Sequence, residues 1–435
     1  MLDLQFVLVN LVLMLLGSIA GAAINYGIYR CGFNKRLISP WSSVPEACVP
    51  RNWLDRIPIF GWLRLRRESH IFGRAFWIRP MLIEMVSALA LAWIYHLYMN
   101  GLLIGGTERV TRPEQQVVSM WLWTWFIFHS VVMLLLAIAT FIDFDEQTIP
   151  DWVTIPGTLF SLAVAASFPA SRLPVVDTGI AGREITALHF NSPLPLTDWH
   201  HSINGLAVAL TIATIWCVAL LPTFNTLRWG LLAAVKFYFA TLFPRPRRKP
   251  NPLRVRERGL TVYHRMIGVV WIFLLAGLVL VWGLGEARWD ALFSSILGLA
   301  FGAGLTWVVR IIAGQALGVE AMGFGDVTLM GMIGAALGWQ SALLVFAFAP
   351  FASILVALAI LISTGEQRIA FGPYLCIAAV FVLFSWHSLW HDWAADGIFS
   401  LGSVLLIIVG GALFLMGVLL FVWGSIKARL FRDAA

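Results

Sequence analysis

Charge is scarce in this chain: only 12% of its 435 residues are Asp, Glu, Lys or Arg, about half the share found in soluble domains. So few charges cannot clothe a water-soluble surface. Cysteine is scarcer, with four residues in all. None lies in a Cys-x-x-Cys pair, so the paired-thiol spacing of a closed zinc site is missing. Cys217 and Cys376 fall inside apolar runs and read as small hydrophobes. The first apolar run has no basic segment before it and no small-residue cleavage signal after it, which reads as a retained anchor rather than a removed signal peptide. Short alternating apolar segments are also missing, which excludes a transmembrane barrel.

What is present is apolar length. Hydrophobic residues make up 60% of the chain and the mean hydropathy is +0.83. Runs of about 20 apolar residues, enough to cross roughly 30 Å of hydrocarbon as helices, recur throughout. They predict about eleven spans, near 6–29, 80–99, 119–142, 152–169, 203–222, 266–285, 291–313, 327–340, 342–363, 373–392 and 400–424. The expected fold is an all-α, polytopic transmembrane helical bundle with a basic cytosolic loop after the first span.

Orientation follows from the arginines. The stretch after the first span holds Arg30, Lys35, Arg36, Arg51, Arg56, Arg64, Arg66, Arg67, Arg74 and Arg79 against Glu46, Asp55 and Glu68, which places it inside by the positive-inside rule. Counting onward, the run from Arg245 to Arg265 and the tail with Lys427, Arg429 and Arg432 also fall inside. The net charge of +7 is thus topological, and no nucleic-acid partner is implied.

Two acid clusters abut spans on that same side. One is Asp143-Phe144-Asp145-Glu146-Gln147-Thr148-Ile149-Pro150-Asp151; the other is Glu320-Ala321-Met322-Gly323-Phe324-Gly325-Asp326, with two glycines expected to bend the backbone closely around a carboxylate. Acids at helix ends are often interfacial residues or N-caps. Two carboxylates brought together in a low-dielectric site cannot both ionise easily, however, so one holds a proton while the other activates water.

At these residues the chain resembles the prepilin leader peptidase family, the GxGD-type membrane aspartyl proteases of type IV pilus and type II secretion systems. Four landmarks carry the resemblance: the Gly21 to Arg30 run, Ile142-Asp143-Phe144-Asp145 with Ile149-Pro150-Asp151, Glu320 to Asp326, and Phe371-Gly372-Pro373-Tyr374-Leu375. The resemblance makes Asp143 and Asp326 the catalytic pair, with Asp145, Pro150, Asp151, Gly323 and Gly325 as supporting motif positions. It implies a multi-pass inner-membrane enzyme, active at the cytosolic face, that cleaves prepilin or pseudopilin substrates after a glycine without a cofactor. Methylation of the new N-terminus from S-adenosylmethionine is a further implication, although the sequence offers no recognisable binding motif for that donor.

The departures are concrete. The family's first loop often carries two Cys-x-x-Cys pairs, whereas this one has Cys31 and Cys48 and is expected to bind no structural zinc. The connection between the two aspartates is longer than usual, and Thr328 stands where the family commonly has Lys. The expected organisation is a first span (1–30), a cytosolic loop domain (31–79), helices bearing the first motif (80–170), an insertion with outer loop, extra span and basic linker (171–265), a core bearing the second motif (266–395), and an additional span with basic tail (396–435).

Other features read as structural. His387 and His391 sit among Trp386, Trp390 and Trp393 at an expected outer boundary, the pattern of an aromatic belt. His200 and His201, being adjacent, are expected to point to different sides of a helix. Gly298, Gly302, Gly334 and Gly338 are spaced for close helix packing. A transporter using intramembrane acids and a catalytically silent secretion subunit are the competing readings. The first lacks an inverted repeat; the second is disfavoured by two intact aspartates.

Overall fold

A computed structural model describes residues 4–43, 49–106, 112–179, 182–221, 254–317, 322–363 and 371–430. Cys48, Glu320, Ala321 and the basic residues Arg245 to Lys249 lie outside them. Among the described residues, eleven principal helices overlap the expected apolar runs: α1 (Leu4–Tyr26), α2 (Ile78–Met99), α3 (Arg112–Glu146), α4 (Asp151–Ser167), α5 (Ile203–Ala219), α6 (Arg254–Leu284), α7 (Glu286–Leu317), α8 (Phe324–Leu337), α9 (Trp339–Ser363), α10 (Gly372–Phe384) and α11 (Ser403–Leu430). Among the described residues, six helices are long and apolar enough to cross a membrane by themselves, or seven if a bent pair counts as one. The chain is therefore an α-helical, multi-pass membrane protein. Its one sheet among the described residues is a hairpin, β1 (Pro174–Gly179) with β2 (Gly182–Ala187), running from Pro174 opposite Ala187 to Gly179 opposite Gly182.

In lipid the helices satisfy their own backbone groups, so their side chains are free to sort by neighbour. α6 and α11 turn large apolar residues such as Phe273, Ile407 and Phe414 outward. α8 does the reverse: every residue from Asp326 to Leu337 is buried, the pattern of a helix enclosed on all sides. It reaches α7 through small residues, with Gly298 and Gly302 of α7 set against the backbone of Gly334 and Met330. This is the close packing expected of membrane helices. Gly17 and Gly21 of α1 meet Ala88 and Glu84 of α2 in the same way.

The loop between α1 and α2 folds around buried acids. Asp55 accepts hydrogen bonds from the Asn52 N–H (2.9 Å), Arg64 Nε (3.1 Å) and Arg67 Nη2 (2.7 Å). Burial alone would raise its pKa, yet the Asn52 amide and the two guanidinium groups hold the carboxyl below its ordinary range. Glu68 pairs with Arg51 at 2.5 Å. Glu84 accepts from Asn25 Nδ2 (2.9 Å), Trp62 Nε1 (2.8 Å) and the Ile59 N–H. Charge-assisted hydrogen bonds of this kind are the stronger class, and they tie the loop to α1 and α2.

Two expectations fail at the other end of the bundle. Trp386 and Trp390 do not form an interfacial belt: they are fully buried, stacked at 5.0 Å, and Trp386 Nε1 donates to Pro174 O at 2.8 Å. Only Trp393 of that trio is exposed. The chain bends by 82° after Phe384, which turns this segment under the hairpin, and the His391 ring accepts from the Val176 N–H at 3.3 Å. His200 and His201 likewise do not diverge, because they belong to a 3-10 turn, Asp198–His201, whose tighter winding brings the two rings to 4.0 Å.

Candidate active site

Asp143 occupies the last turn of α3 and Asp326 the first turn of α8, at 5% and 7% exposure. The two are close enough for the charge of one to act on the other. A glycine lies beside each carboxylate, Gly372 beside Asp143 Oδ2 and Gly323 beside Asp326 Oδ2.

Their convergence is built by close contacts. A Cβ on Gly372, at the start of α10, would stand 2.6 Å from Asp143 Oδ2 and 2.6 Å from Ile149 Cδ1. A Cβ on Gly325 would stand 2.9 Å from Ile149 Cβ and 3.0 Å from Ile149 O. Ile149, between the helices that carry the first motif, thus wedges against the motif of α8 and the start of α10 together. The reason for the glycines differs from the sequence expectation. Gly323 has φ −70° and ψ 157°, ordinary extended backbone, and Gly325 is helical. Gly325 is small to permit contact, not to permit a bend.

The other motif residues fix this end of the bundle. Asp145 pairs with Arg79 at 2.7 Å and Arg36 at 3.5 Å. Glu146, a member of the first acid cluster with no motif role expected of it, accepts the N–H groups of Phe33 (2.8 Å) and Asn34 (2.9 Å). Together they hold the start of the first loop against the end of α3. Pro150 is buried and precedes α4 with extended backbone, its carbonyl accepting from the Val153 N–H at 3.0 Å. Asp151 accepts from the Tyr263 hydroxyl at 2.9 Å, and so reaches α6 rather than the aspartate pair. Arg310 of α7 donates from Nε to Met322 O at 3.0 Å and lies over the Phe324 ring at 5.7 Å, pinning the turn that leads into Asp326. It was detectable as a cation in an apolar run, where cations are costly.

An apolar groove of about 890 Å³ opens beside the first turn of α8, lined by Tyr263, Trp307, Arg310, Phe324, Val327 and Thr328 among others. Pockets with apolar walls and a few polar groups are the usual form of ligand sites. A second apolar groove, about 700 Å³, runs along α1, α2 and α3 past Arg79 and Phe141.

Comparison with known proteins falls on the same regions. The Bacterial Peptidase A24 N-terminal domain matches residues 15–98, and the Type IV leader peptidase family matches residues 258–362. Asp326 lies in the second match and Asp143 between the two. Three similar proteins bear the name Prepilin leader peptidase/N-methyltransferase: those of Myxococcus xanthus (27% identical, 35% of this chain and 39% of the relative), Aeromonas hydrophila (28%, 46% and 58%) and Pseudomonas aeruginosa (29%, 29% and 41%). The chain thus matches well under two thirds of the length of these relatives. No solved structure matches it. With an A24 N-terminal domain at 15–98, a leader peptidase domain at 258–362 and relatives of one name, the chain belongs to the type IV leader peptidase family.

Proposed function

We propose that this protein is an aspartyl endopeptidase that cuts the leader from prepilin or pseudopilin substrates at the cytosolic face of the inner membrane, with Asp143 and Asp326 as its catalytic residues. The observation that carries the reading is the meeting of two buried carboxylates at one end of the bundle, through Ile149, Gly325 and Gly372. Like charges this close in an apolar setting favour a state with one shared proton. The unprotonated carboxylate then takes a proton from water as its oxygen attacks the scissile carbonyl. The protonated one donates to the carbonyl oxygen. The groove beside α8 is apolar enough to seat the hydrophobic helix that follows a leader. Family membership and the names of the relatives support the substrate class.

The relatives' name also contains an N-methyltransferase. In the described part of the first loop and at its junction with α2, the buried acids Asp55, Glu68 and Glu84 are all engaged by protein donors. These contacts account for the three acids as structural groups, and no step is assigned to S-adenosylmethionine. A transporter role has weaker support, since the acids sit at one end of the bundle rather than at its middle. Co-expression with a prepilin, followed by mass measurement of its N-terminus, tests the proposal. A shortened substrate is expected, and a full-length one with the enzyme present in the membrane would overturn it. The same spectrum reads any added methyl group.

A further inference from the structure

At the opposite end of the bundle from the aspartates, the turn Asp198–His201 folds onto the first turn of α7. His200 Nε2 lies 2.6 Å and His201 Nε2 3.0 Å from the same oxygen, Asp290 Oδ1. The three side chains offer ligand atoms that all fall within 4.8 Å of one another. We propose that His200, His201 and Asp290 form a binding site for a divalent transition-metal ion of the zinc class, with three protein ligands and a fourth position open to water.

The donor and acceptor count points to a cation. His200 is fully buried, and its Nδ1 stands 2.5 Å from Thr197 O. A carbonyl can only accept, so Nδ1 carries the hydrogen and the neutral ring turns a lone pair on Nε2 toward the Asp290 carboxylate. Two acceptors facing each other need a positive bridge, either a proton or a metal ion. A carbonyl on the far nitrogen is also the usual outer partner of a metal-bound imidazole, which it orients. In tetrahedral zinc sites with bonds of about 2.0–2.1 Å, neighbouring ligand atoms lie about 3.3 Å apart. Reaching that size requires the Asp290 oxygen, at 2.6 Å from His200 Nε2 and 3.0 Å from His201 Nε2, to move by about 0.7 Å from the first and about 0.3 Å from the second, within reach of a rotation of this partly exposed carboxylate.

The surroundings hold the ligands in place. Trp289 Nε1 donates to His200 O at 2.8 Å and Trp282 Nε1 to His201 O at 2.9 Å, so two indoles from α6 and α7 fix the backbone of both histidines. Phe190 and Phe293 close on the His200 ring at 5.1 and 5.4 Å. Asp290 is a quarter exposed and His201 just under a third, which gives an ion an approach from solvent. Residues 198–201 lie outside both family matches. The site would fasten the loop before α5 to α7, and it stands whether or not the aspartates cleave.

The test uses the full-length protein in detergent, stripped with chelator, dialysed against zinc and then measured for bound metal and thermal midpoint. One zinc per chain is expected, with a rise in midpoint that zinc binding to the folded state produces. His201→Ala and Asp290→Asn should each lose the stoichiometric zinc and the rise, while keeping the metal-free midpoint of the parent. Cys31→Ser with Cys48→Ser should keep both. Cobalt in place of zinc should give the visible absorption of a tetrahedral site in the parent and not in the two variants. Failure of the parent to bind more zinc than His201→Ala and Asp290→Asn would show a bridging proton and overturn the site. Loss of zinc in the cysteine variant instead would move binding to the first loop and overturn it equally.

Discussion

Ile149 and Gly325 are in direct contact, so close that a methyl group on the glycine would stand 2.9 Å from Ile149 Cβ and 3.0 Å from its carbonyl oxygen. The same isoleucine touches Gly372, which in turn backs Asp143. A contiguous packed path therefore joins Asp143 to Asp326. In a close-packed interior such a path transmits displacement instead of absorbing it.

Gly325→Ala should accordingly push α8 and the Asp326 carboxylate away from Asp143. Overpacking of this kind costs about 1–3 kcal/mol, which a large bundle survives. A misplacement near 1 Å can cost about 10²-fold in rate. The expected outcome is normal membrane accumulation with prepilin cleavage slowed about a hundredfold, measured by pulse-chase. Cleavage at the parental rate would show that the contact does not position the site.

The first loop should depend on Asp55. Its folded pKa is depressed, so the stability it contributes is complete above its unfolded value of about 3.9 and is lost as pH falls through the lower folded value. Proteolysis of the loop in native membranes should be slow and unchanged from neutral pH to about 5, then rise on further acidification. Asp55→Asn removes the charge that Arg64 and Arg67 pair with, a loss of about 1.5–3 kcal/mol for hydrogen bonds to a charged group. That variant should be cut faster already at neutral pH. Equal cutting of variant and parent would rule out this role.

Orientation is open to direct chemistry. In a background with Cys31 and Cys48 replaced by serine, a cysteine at the exposed Ala75 in the first loop should be shielded from an impermeant thiol reagent in intact cells. One at the exposed Glu184 in β2 should be labelled. The reverse pattern would turn the molecule over and move the aspartates to the outer side.

Much of this architecture was legible because lipid simplifies the code. Apolar length marks helices, arginine marks one side, and the parity of the crossings between Asp143 and Asp326 brings both aspartates to one end. What escaped depends on local winding and on burial that hydropathy does not register. The convergence of His200 and His201 required knowing that Asp198–His201 is a 3-10 turn. Trp386 and Trp390 read as interfacial because tryptophan favours both boundary and core, and only the 82° bend after Phe384 buries them. Arg310, Tyr263 and Glu146 make contacts across long sequence separations, to Met322, Asp151 and the Phe33–Asn34 amides, that no local pattern announces. Gly325 was noticed for backbone freedom, whereas its smallness is what Ile149 requires.

The central prediction concerns Asp143 and Asp326 themselves. If the pair shares one proton, activity should follow a bell-shaped pH profile whose two limbs belong to the pair and cannot be divided between its members. Asp143→Asn and Asp326→Asn keep the side-chain volume and so the packing beside Gly372 and Gly323, and both proteins should insert and accumulate. An amide can neither take the proton from water nor supply one to the carbonyl oxygen. Cleavage of a co-expressed prepilin should therefore fall by about 10³-fold or more, equivalent to about 4 kcal/mol of lost transition-state stabilisation. Asp151→Asn, whose partner is the Tyr263 hydroxyl, should reduce the rate far less, because it touches neither carboxylate of the pair. Asp145→Asn should also fall short of the pair, acting only through the loosened grip of Arg79 and Arg36. Processing near the parental rate by either Asn variant of the pair would end the aspartyl mechanism and leave the buried acids to be explained as part of an ion path.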